Sequence, residues 1–304
     1  MKKVNMKALL IVAVMALGFG ASAWAQTKTI AYVGHATSNT FWNRLGAMAK
    51  AEAGAQGVKF LDLTPPEPNP DEQKKAVENA ILQKVSGIII GATDNRAFGE
   101  TLKKAKAAKI PVVAVDTGID DPIVQSLVQT DNLKSARIAG KYIVERMTKP
   151  GKILILGGTL GHQTGDARRD GVAQMAMDAG ITVIYRACDW DETKAYETCQ
   201  NELAANPDIT AIFGAWDPAA MAARAVVKEK GLMGKIVICG FDGNPANLKA
   251  IKAGEINATV KQDNDRMGKQ AVDLIIKINK GEAVDKFYPI DGFIIDKTNV
   301  DKYM

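Results

Sequence analysis

The stretch TIAYVGHATSNTFWNRLGAMAKAEAGAQG, residues 29–57, contains one complete unit of the pattern that decides the fold. An apolar, β-branched run is followed by a small polar loop and then by an amphipathic segment that ends at Gly57. This order predicts a strand, a loop and a helix. Two aromatic residues, Phe41 and Trp42, stand where the loop becomes the helix. Because loops after parallel strands lie at the edge where open α/β sheets bind ligands, we expect both rings to face a ligand.

The same pattern recurs along the rest of the chain. Predicted helices alternate with predicted strands that are apolar at nearly every position, and these strands cover 58–64, 85–91, 111–116, 123–129, 151–157, 181–187, 209–214, 235–241, 257–262 and 292–296. Such strands are typical of a parallel sheet buried on both faces. Because the pattern restarts after the first four or five strands, we predict an α/β protein with two doubly wound parallel-sheet lobes. A single sheet of about ten strands is the alternative, and sheets of that size tend to split.

Residues 1–25 have the pattern of a secretory signal peptide. Lysines at positions 2, 3 and 7 form its basic end, an apolar core follows, and Ala23-Trp24-Ala25 is a small-x-small cleavage site. The apolar core is shorter than the ~20 residues that a membrane span requires. We therefore expect cleavage and export of a soluble mature protein, and the alternative is a retained membrane anchor.

Composition limits the partners. Among the 304 residues, 39 are basic and 34 are acidic, and removing the three lysines of the leader leaves 36 against 34. A net charge near +2 is too small to indicate binding to nucleic acid or to an anionic membrane. The hydrophobic content of 47% and charged content of 24% are typical of a globular protein long enough for two domains.

Cysteines and histidines are few. Export makes disulfides possible, and we favour a bridge between Cys188 and Cys199, with Cys239 as a buried thiol inside the run KIVICGF. Three free cysteines are the alternative.

The two histidines, His35 and His162, and the cysteine spacings do not match a structural metal site, so neither a metal nor a cofactor is predicted. We interpret His162 as a polar loop residue.

The three tryptophans of the predicted mature chain all follow a predicted strand end. They are Trp42 in HATSNTFW, Trp190 in ACDWDE and Trp216 in GAWDP. Each of them alone could be a loop residue that covers its own helix. Three together indicate a shared role at the carboxyl edges of the sheets, where ligands bind.

Polar side chains occupy equivalent places, namely Asn39, Asp116, Arg168, Asp217, Asp242 and Gln262. Aromatic faces combined with a few fixed donors and acceptors suit a neutral polyhydroxylated ligand, whose C–H faces stack on rings while its hydroxyls form hydrogen bonds. Carboxylates are needed because each hydroxyl donates as well as accepts. The alternatives are that Asp217 only caps the helix at Pro218 and that Asp242 is only a turn residue before Gly243.

Six segments carry a family resemblance that extends over both lobes: TIAYVGHATSNTFW, VDTG, ARRDG, CGFDGNP, NATVKQ and GEAVDKFYPID. With these segments the mature chain resembles the periplasmic sugar-binding proteins of bacterial ABC importers, ribose-binding type, of the type I periplasmic binding protein family. The resemblance implies a hinge that the chain crosses three times, near Thr130, Gln262 and Asp291. The N-lobe would then comprise 28–130 plus 263–291, and the C-lobe 131–262 plus 292–304.

The resemblance also implies a set of ligand contacts. Ten residues would contact the sugar: from the N-lobe Asn39, Phe41, Trp42, Asp116 and Thr117, and from the C-lobe and hinge Arg168, Trp190, Trp216, Asp242 and Gln262. Two positions depart from the ribose-binding pattern: Thr117 stands where an arginine is expected, and Trp216 where an asparagine is expected. Two planar hydrogen-bonding groups are lost and a large ring is gained, so a different monosaccharide or a sugar alcohol is at least as strongly indicated as ribose.

The function implied is capture of a small sugar or polyol in the periplasm by a monomer that closes around it and docks on ABC permease and ATPase subunits. A binding protein for a chemotaxis or quorum-signal receptor is the nearest alternative. An enzyme is disfavoured because GGTLGHQTGDARRDG matches neither common phosphate-loop pattern and no nucleophile elbow is present. A repressor is disfavoured because the first strand leaves no room for a helix-turn-helix domain after the leader.

Overall fold

The computed structural model describes residues 28–147 and 149–304. The predicted signal peptide, 1–25, lies outside the described residues. Within them, none of the helices has the length and apolarity needed to cross a membrane. The described residues form two α/β lobes, each built on its own six-stranded sheet. The predicted fold class is therefore confirmed, and the alternative of one large sheet is wrong.

Helices and strands alternate in both lobes. In chain order they are β1 (Thr29–Val33), α1 (Thr40–Ala55), β2 (Lys59–Asp62), α2 (Pro70–Leu82), β3 (Gly87–Ile90), α3 (Gly99–Ala107), β4 (Val112–Val115), β5 (Ser126–Thr130), α4 (Asn132–Arg146), β6 (Lys152–Gly157), α5 (Gln163–Asp178), β7 (Val183–Ala187), α6 (Glu192–Ala205), β8 (Ile209–Gly214), α7 (Asp217–Glu229), β9 (Val237–Asp242), α8 (Pro245–Lys252), β10 (Ala258–Lys261), α9 (Asn264–Asn279), β11 (Phe287–Ile290) and β12 (Phe293–Asp296), followed by a short 3₁₀ helix (Val300–Lys302).

The first sheet has the strand order β11-β5-β4-β3-β1-β2, and its paired strands are all parallel. Successive side chains of a strand point to opposite faces. Ile30 and Tyr32 of β1 accordingly pack with residues of α1 and α9, whereas Ala31 and Val33 pack with residues of α2 and α3. Both faces are covered, which explains why these strands are apolar at nearly every position.

The second sheet has the strand order β12-β10-β9-β8-β6-β7. Its strands are parallel except for β12, which pairs antiparallel with β10 at the edge. Fully buried aromatic residues, Phe213 of β8 and Phe241 of β9, lie in the core of this lobe. The carboxyl ends of both sets of parallel strands carry the loops that form the site described below.

The chain passes between the lobes three times, between β5 and α4, between β10 and α9, and between β11 and β12. Hydrogen bonds join these crossings. Thr130 Oγ1 donates to Gln262 Oε1 over 2.7 Å, and the Asp131 N–H donates to the Ile290 carbonyl over 2.9 Å. The crossings therefore form one connected hinge.

Strand β11 was not predicted from the sequence. Phe287 is exposed, and Pro289 inside the strand interrupts its set of backbone donors. Proline within a sheet is confined to edges, and β11 is the edge next to β5. Helix α5 begins at Gln163. Its N-cap, His162, makes no side-chain capping bond that would have marked the start.

The cysteines require a correction. The favoured Cys188–Cys199 bridge is absent, and Cys188, Cys199 and Cys239 are all free, fully buried thiols. Each packs in the hydrophobic core of the second lobe as a small apolar side chain. Burial raises the pKa of Cys199 to about 12, which keeps its thiol protonated. The alternative of three free cysteines describes this structure.

Candidate ligand-binding site

A cavity lies between the lobes, at the carboxyl ends of the parallel strands. It is lined by all ten residues proposed from the sequence as ligand contacts, namely Asn39, Phe41, Trp42, Asp116, Thr117, Arg168, Trp190, Trp216, Asp242 and Gln262. Its volume is about 100 Å³, which gives room for on the order of seven to ten water molecules. The cavity therefore suits a small molecule held from both lobes.

The N-lobe wall is built by the loop between β1 and α1. The Asn39 side-chain oxygen accepts from the Phe41 N–H over 2.9 Å and caps α1, which directs the following two aromatic residues to the cavity. The Trp42 ring stacks on the His35 ring, with centroids 5.6 Å apart and an interplanar angle of 8°. The Trp42 ring also packs closely on Gly91, and a Cβ atom at that position would overlap the ring.

Aromatic rings from three loops form the C-lobe wall. The Trp190 ring meets the Trp216 ring edge-on at 5.3 Å and the His162 ring edge-on at 5.4 Å. A Cβ atom on Gly158 would overlap the Trp190 ring, so the glycine after β6 makes room for it. Edge-to-face contacts of this kind are favoured between aromatic rings and fix their orientation.

Arg168 of α5 supplies a buried cation to the cavity. Its Nε donates to Asn132 Oδ1 over 2.8 Å, and its Nη1 donates to the Ala215 carbonyl over 2.9 Å and lies 3.5 Å from Asp242 Oδ1. The guanidinium carbon lies 4.0 Å from the centre of the Phe241 ring. The protein itself thus holds this side chain in place before any ligand contributes.

Two buried carboxylates face the same space. Burial raises the pKa of Asp242 to about 6, against the opposing effect of Arg168, and Gln262 Nε2 donates to its Oδ1 over 2.7 Å. Burial also raises the pKa of Asp116, and here Arg168 and the Thr117 hydroxyl oppose the shift. Thr117 donates to Asp116 Oδ2 over 3.1 Å, whereas the buried Oδ1 has no partner in the protein. That oxygen is available to a ligand donor.

Backbone strain is concentrated at the cavity. Positive φ is uncommon for non-glycine residues, yet Asp116 has a φ of 61°, Trp190 of 60° and Asp242 of 131°. Each follows or ends a parallel strand, β4, β7 or β9. Such conformations persist where the surroundings enforce them and cluster at functional sites.

Asp217 does not line the cavity, although the sequence places it next to Trp216. Its carboxylate accepts from the Asn244 N–H and from Thr259 Oγ1, both over 2.6 Å, and from the Asn247 amide. It is the first residue of α7 rather than its N-cap. Its role is therefore to join α7 to the β9–α8 loop and to β10.

Three cavity residues were missed by the sequence interpretation, namely His35, His162 and Thr164. His162 is a loop residue, as the sequence interpretation has it, and it also lines the cavity. Both histidines lie in loops after a parallel strand, the same signal that identified the tryptophans. Burial lowers the pKa of His35 to about 4 and also lowers the pKa of His162, so both rings are neutral at neutral pH.

A larger groove of about 700 Å³ lies beside the hinge and is lined by residues of both lobes. Two of its charged groups, Arg44 and Asp265, form a bidentate pair at 2.6 Å, and Lys261 Nζ donates to Asn264 Oδ1 over 3.1 Å. Because no buried atom without a partner belongs to a residue of this groove, the smaller aromatic cavity is the candidate site within the described residues.

Comparisons with known proteins identify relatives that cover nearly the whole chain. Residues 30–283 match the model of the periplasmic binding protein domain. The ribose import binding protein RbsB of Salmonella typhimurium is 33% identical over 296 residues, covering 96% of this chain and 99% of that protein. A solute-binding protein of Actinobacillus succinogenes with bound D-allose superposes with a TM-score of 0.86 at 26% identity, covering 91% of this chain and 100% of that one. For one from Agrobacterium vitis with bound α-D-tagatopyranose, the TM-score is 0.84 at 27% identity, with 90% and 96% covered.

Proposed function

The chain belongs to the periplasmic binding protein family, and from this premise we propose that it captures a monosaccharide or sugar alcohol between its two lobes and delivers it to an ABC importer. One observation carries the proposal. Aromatic rings, two carboxylates and one guanidinium from both lobes converge on one cavity between the lobes. Sugars and polyols are recognised by this combination, because rings stack on C–H faces while fixed polar groups bind hydroxyls.

The ligand would be bound by the ten residues predicted from the sequence. Trp42, Trp190 and Trp216 would supply the stacking surfaces. Asp116 and Asp242 would accept from hydroxyl groups, and the groups that donate to hydroxyl oxygens would be Arg168, Gln262 and the Asn39 amide. The one proton of the Thr117 hydroxyl is donated to Asp116, so Thr117 would serve the ligand as an acceptor.

Delivery would depend on hinge closure. The two lobes would close on the ligand, because both sets of contacts reach it only when the lobes are close together. The proposed N-lobe comprises 28–130 plus 263–291, and the proposed C-lobe comprises 131–262 plus 292–304. The closed monomer would then dock on permease and ATPase subunits. Its site of action would be the periplasm, reached by cleavage of the leader, 1–25.

The ligand preference would differ from that of a ribose-binding site, in which a second arginine is expected at the position of Thr117. Thr117 is a short side chain whose hydroxyl is directed to Asp116, and Trp216 fills space as a 6%-exposed ring against Trp190. The cavity thus has a single guanidinium and an extended aromatic wall. We therefore propose a hexose, a ketose or a sugar alcohol ahead of ribose.

The test is tryptophan fluorescence of the mature chain, 26–304, titrated with D-ribose, D-allose, D-tagatose and the alditols ribitol and allitol. All three tryptophans among the described residues line the cavity, so a true ligand is expected to give a saturable spectral change at micromolar concentration. A correctly folded protein, verified by circular dichroism, that responds to no member of a wider pentose, hexose and alditol panel would refute the proposal.

A further inference from the structure

We infer that His162 is a ligand-contacting residue that binds one hydroxyl group of the sugar or polyol through its Nε2 atom and thereby sets ligand choice. The inference rests on the proposed function, and it concerns a residue outside the set that the family resemblance implied. It starts from the hydrogen-bonding groups that the protein leaves without partners.

Buried polar atoms without a partner are few in the described part of the chain. They are Asp116 Oδ1, Ser126 Oγ, His162 Nε2, Thr210 Oγ1 and Asn247 Oδ1. Only Asp116 and His162 among these residues line the cavity, one from each lobe. Leaving a buried polar atom unpaired is costly, and each such group in a native structure requires an explanation. A ligand that pairs with both atoms supplies it.

The imidazole ring of His162 is held in a defined orientation. Its Nδ1 is hydrogen-bonded to Thr164 Oγ1 over 3.0 Å, and its plane meets the Trp190 ring at 78°. Thr164 is buried within the first turn of α5. With one ring nitrogen occupied and the ring packed on Trp190, Nε2 is the atom left for the cavity.

A hydroxyl group is the partner that fits Nε2. A neutral imidazole has one donor nitrogen and one acceptor nitrogen, and the Thr164 hydroxyl can satisfy Nδ1 in either tautomer. Nε2 is then a donor or an acceptor, and a ligand hydroxyl can serve as either partner. The neutral form is favoured because the ring is buried and Arg168 is close by, while Asp166 and Asp94 act in the opposite direction.

The position of His162 also links ligand choice to closure. Asp116 Oδ1 lies on the N-lobe and accepts from a ligand hydroxyl, whereas His162 Nε2 lies on the C-lobe and pairs with another or the same hydroxyl. A ligand with hydroxyls that reach both atoms therefore holds the two lobes together. A ligand lacking the hydroxyl at Nε2 leaves this atom unpaired, which is the basis for strong discrimination by polar sites.

The test uses calorimetry with D-ribose, D-allose, D-tagatose, ribitol and allitol on wild type, His162→Phe and His162→Gln. Phenylalanine keeps the ring against Trp190 but removes both nitrogens, and glutamine retains a donor and an acceptor. For the panel member that wild type binds most tightly, we expect His162→Phe to weaken binding about tenfold and His162→Gln to recover most of the loss. Tyr196→Phe, outside the cavity on α6, is the control and should bind as wild type does.

Monodeoxy analogues of that same compound complete the test. One analogue should bind wild type about tenfold less tightly and lose nothing further with His162→Phe, which identifies the hydroxyl at Nε2. Equal affinity of wild type and a folded His162→Phe, or equal losses for every analogue in both proteins, overturns the inference but leaves the proposed function intact. Failure of wild type to bind any compound overturns both.

Discussion

The two halves of the cavity differ in how far the protein itself satisfies their charged groups. On the C-lobe side, Arg168 is bonded to Asn132 and to the Ala215 carbonyl, and Asp242 is bonded to Gln262. On the N-lobe side, Asp116 receives one bond from its neighbour Thr117 and keeps one buried oxygen without a partner.

The difference indicates a division of work between the lobes. A network held by several elements is rigid, so the C-lobe half is prepared for a ligand in advance, and preorganisation of this kind increases affinity by reducing the cost of ordering side chains. In the N-lobe half, Asp116 Oδ1 gains a hydrogen-bond partner only when a ligand binds. Substitutions in the C-lobe network should therefore affect both folding and binding, whereas those in the N-lobe half should affect binding alone.

The largest effect is expected for Arg168→Leu. This change leaves Asp242 buried without its counterion, and breaking a buried ion pair in this way typically costs about 3 kcal/mol or more of unfolding free energy. Ligand affinity should fall at least about 100-fold, since the network and a ligand donor are lost together. Urea unfolding and calorimetry with the tightest-binding sugar of the panel measure the two effects. Unchanged stability would contradict the role given to the network.

Asp116→Asn should separate binding from folding. Burial raises the pKa of Asp116, so ionisation of this carboxyl costs more in the folded protein than in the unfolded chain, and a neutral amide removes that cost. We expect about tenfold weaker sugar binding, because the charged acceptor is lost, with unfolding free energy equal to or above that of wild type. A loss of stability as large as that of Arg168→Leu would remove the distinction between the two lobes.

Much of the lining of the cavity could be predicted from the sequence, because a parallel sheet brings the carboxyl ends of its strands to one edge. Positions at the strand ends, together with the family resemblance, led to ten predicted residues, and all ten line one cavity. The direction in which each side chain points was harder to predict from the sequence. Asp217 follows a strand end as Asp242 ends one, but its carboxylate is bonded to the β9–α8 loop, and only the packed structure reveals this.

Local packing explains the other differences. His162 faces the cavity because Gly158 lets the Trp190 ring approach and that ring supports the imidazole, a contact between loops that are distant in sequence. Strand β11 was not recognised because its exposed positions are occupied by Phe287 and Pro289, which hide the alternation of exposed and buried positions. The cysteine spacing was compatible with a bridge, but spacing does not determine whether two buried sulfurs are oriented to bond.

Trp190→Ala tests the aromatic wall of the C-lobe. Removal of a ring that packs on both Trp216 and His162 should weaken sugar binding by about 1 kcal/mol or more, roughly five- to tenfold. Tyr196→Ala is the matched control, since this ring lies on α6 of the same lobe and its hydroxyl is bonded to Glu229 outside the cavity. Calorimetry with equal affinities for both variants would exclude Trp190 from the binding surface.

His35 gives a pH dependence specific to the N-lobe. Its pKa is about 4 in the folded protein because of burial, with His162 acting in the same direction, and about 6.5 when unfolded. Between these two pKa values the histidine is protonated in the unfolded chain but still neutral in the folded protein. The free energy of unfolding therefore falls as the pH decreases through this window. Asp242, with its raised pKa, contributes the opposite slope.

The comparison of wild type with His35→Asn isolates the contribution of His35. Between pH 7 and pH 5 the variant should lose less stability than wild type, by about 1 kcal/mol or less given the partial exposure of the ring. Urea unfolding at several pH values measures the difference. Parallel curves for the two proteins would show that the histidine is not kept neutral by its surroundings.

The smallest effect is expected where the lobes touch each other beside the cavity. A Cβ atom on Gly118 of the N-lobe would lie 3.2 Å from Gln163 Oε1 of the C-lobe and 3.1 Å from Leu127 Cδ2. Both are ends of flexible side chains, so Gly118→Ala should shift the lobes slightly apart and weaken sugar binding only about two- to threefold, without a change in stability. Adding Gln163→Ala removes the opposing side chain and should restore affinity. If the double variant binds no better than Gly118→Ala, the effect arises within the N-lobe, and contact between the lobes does not limit closure at this point.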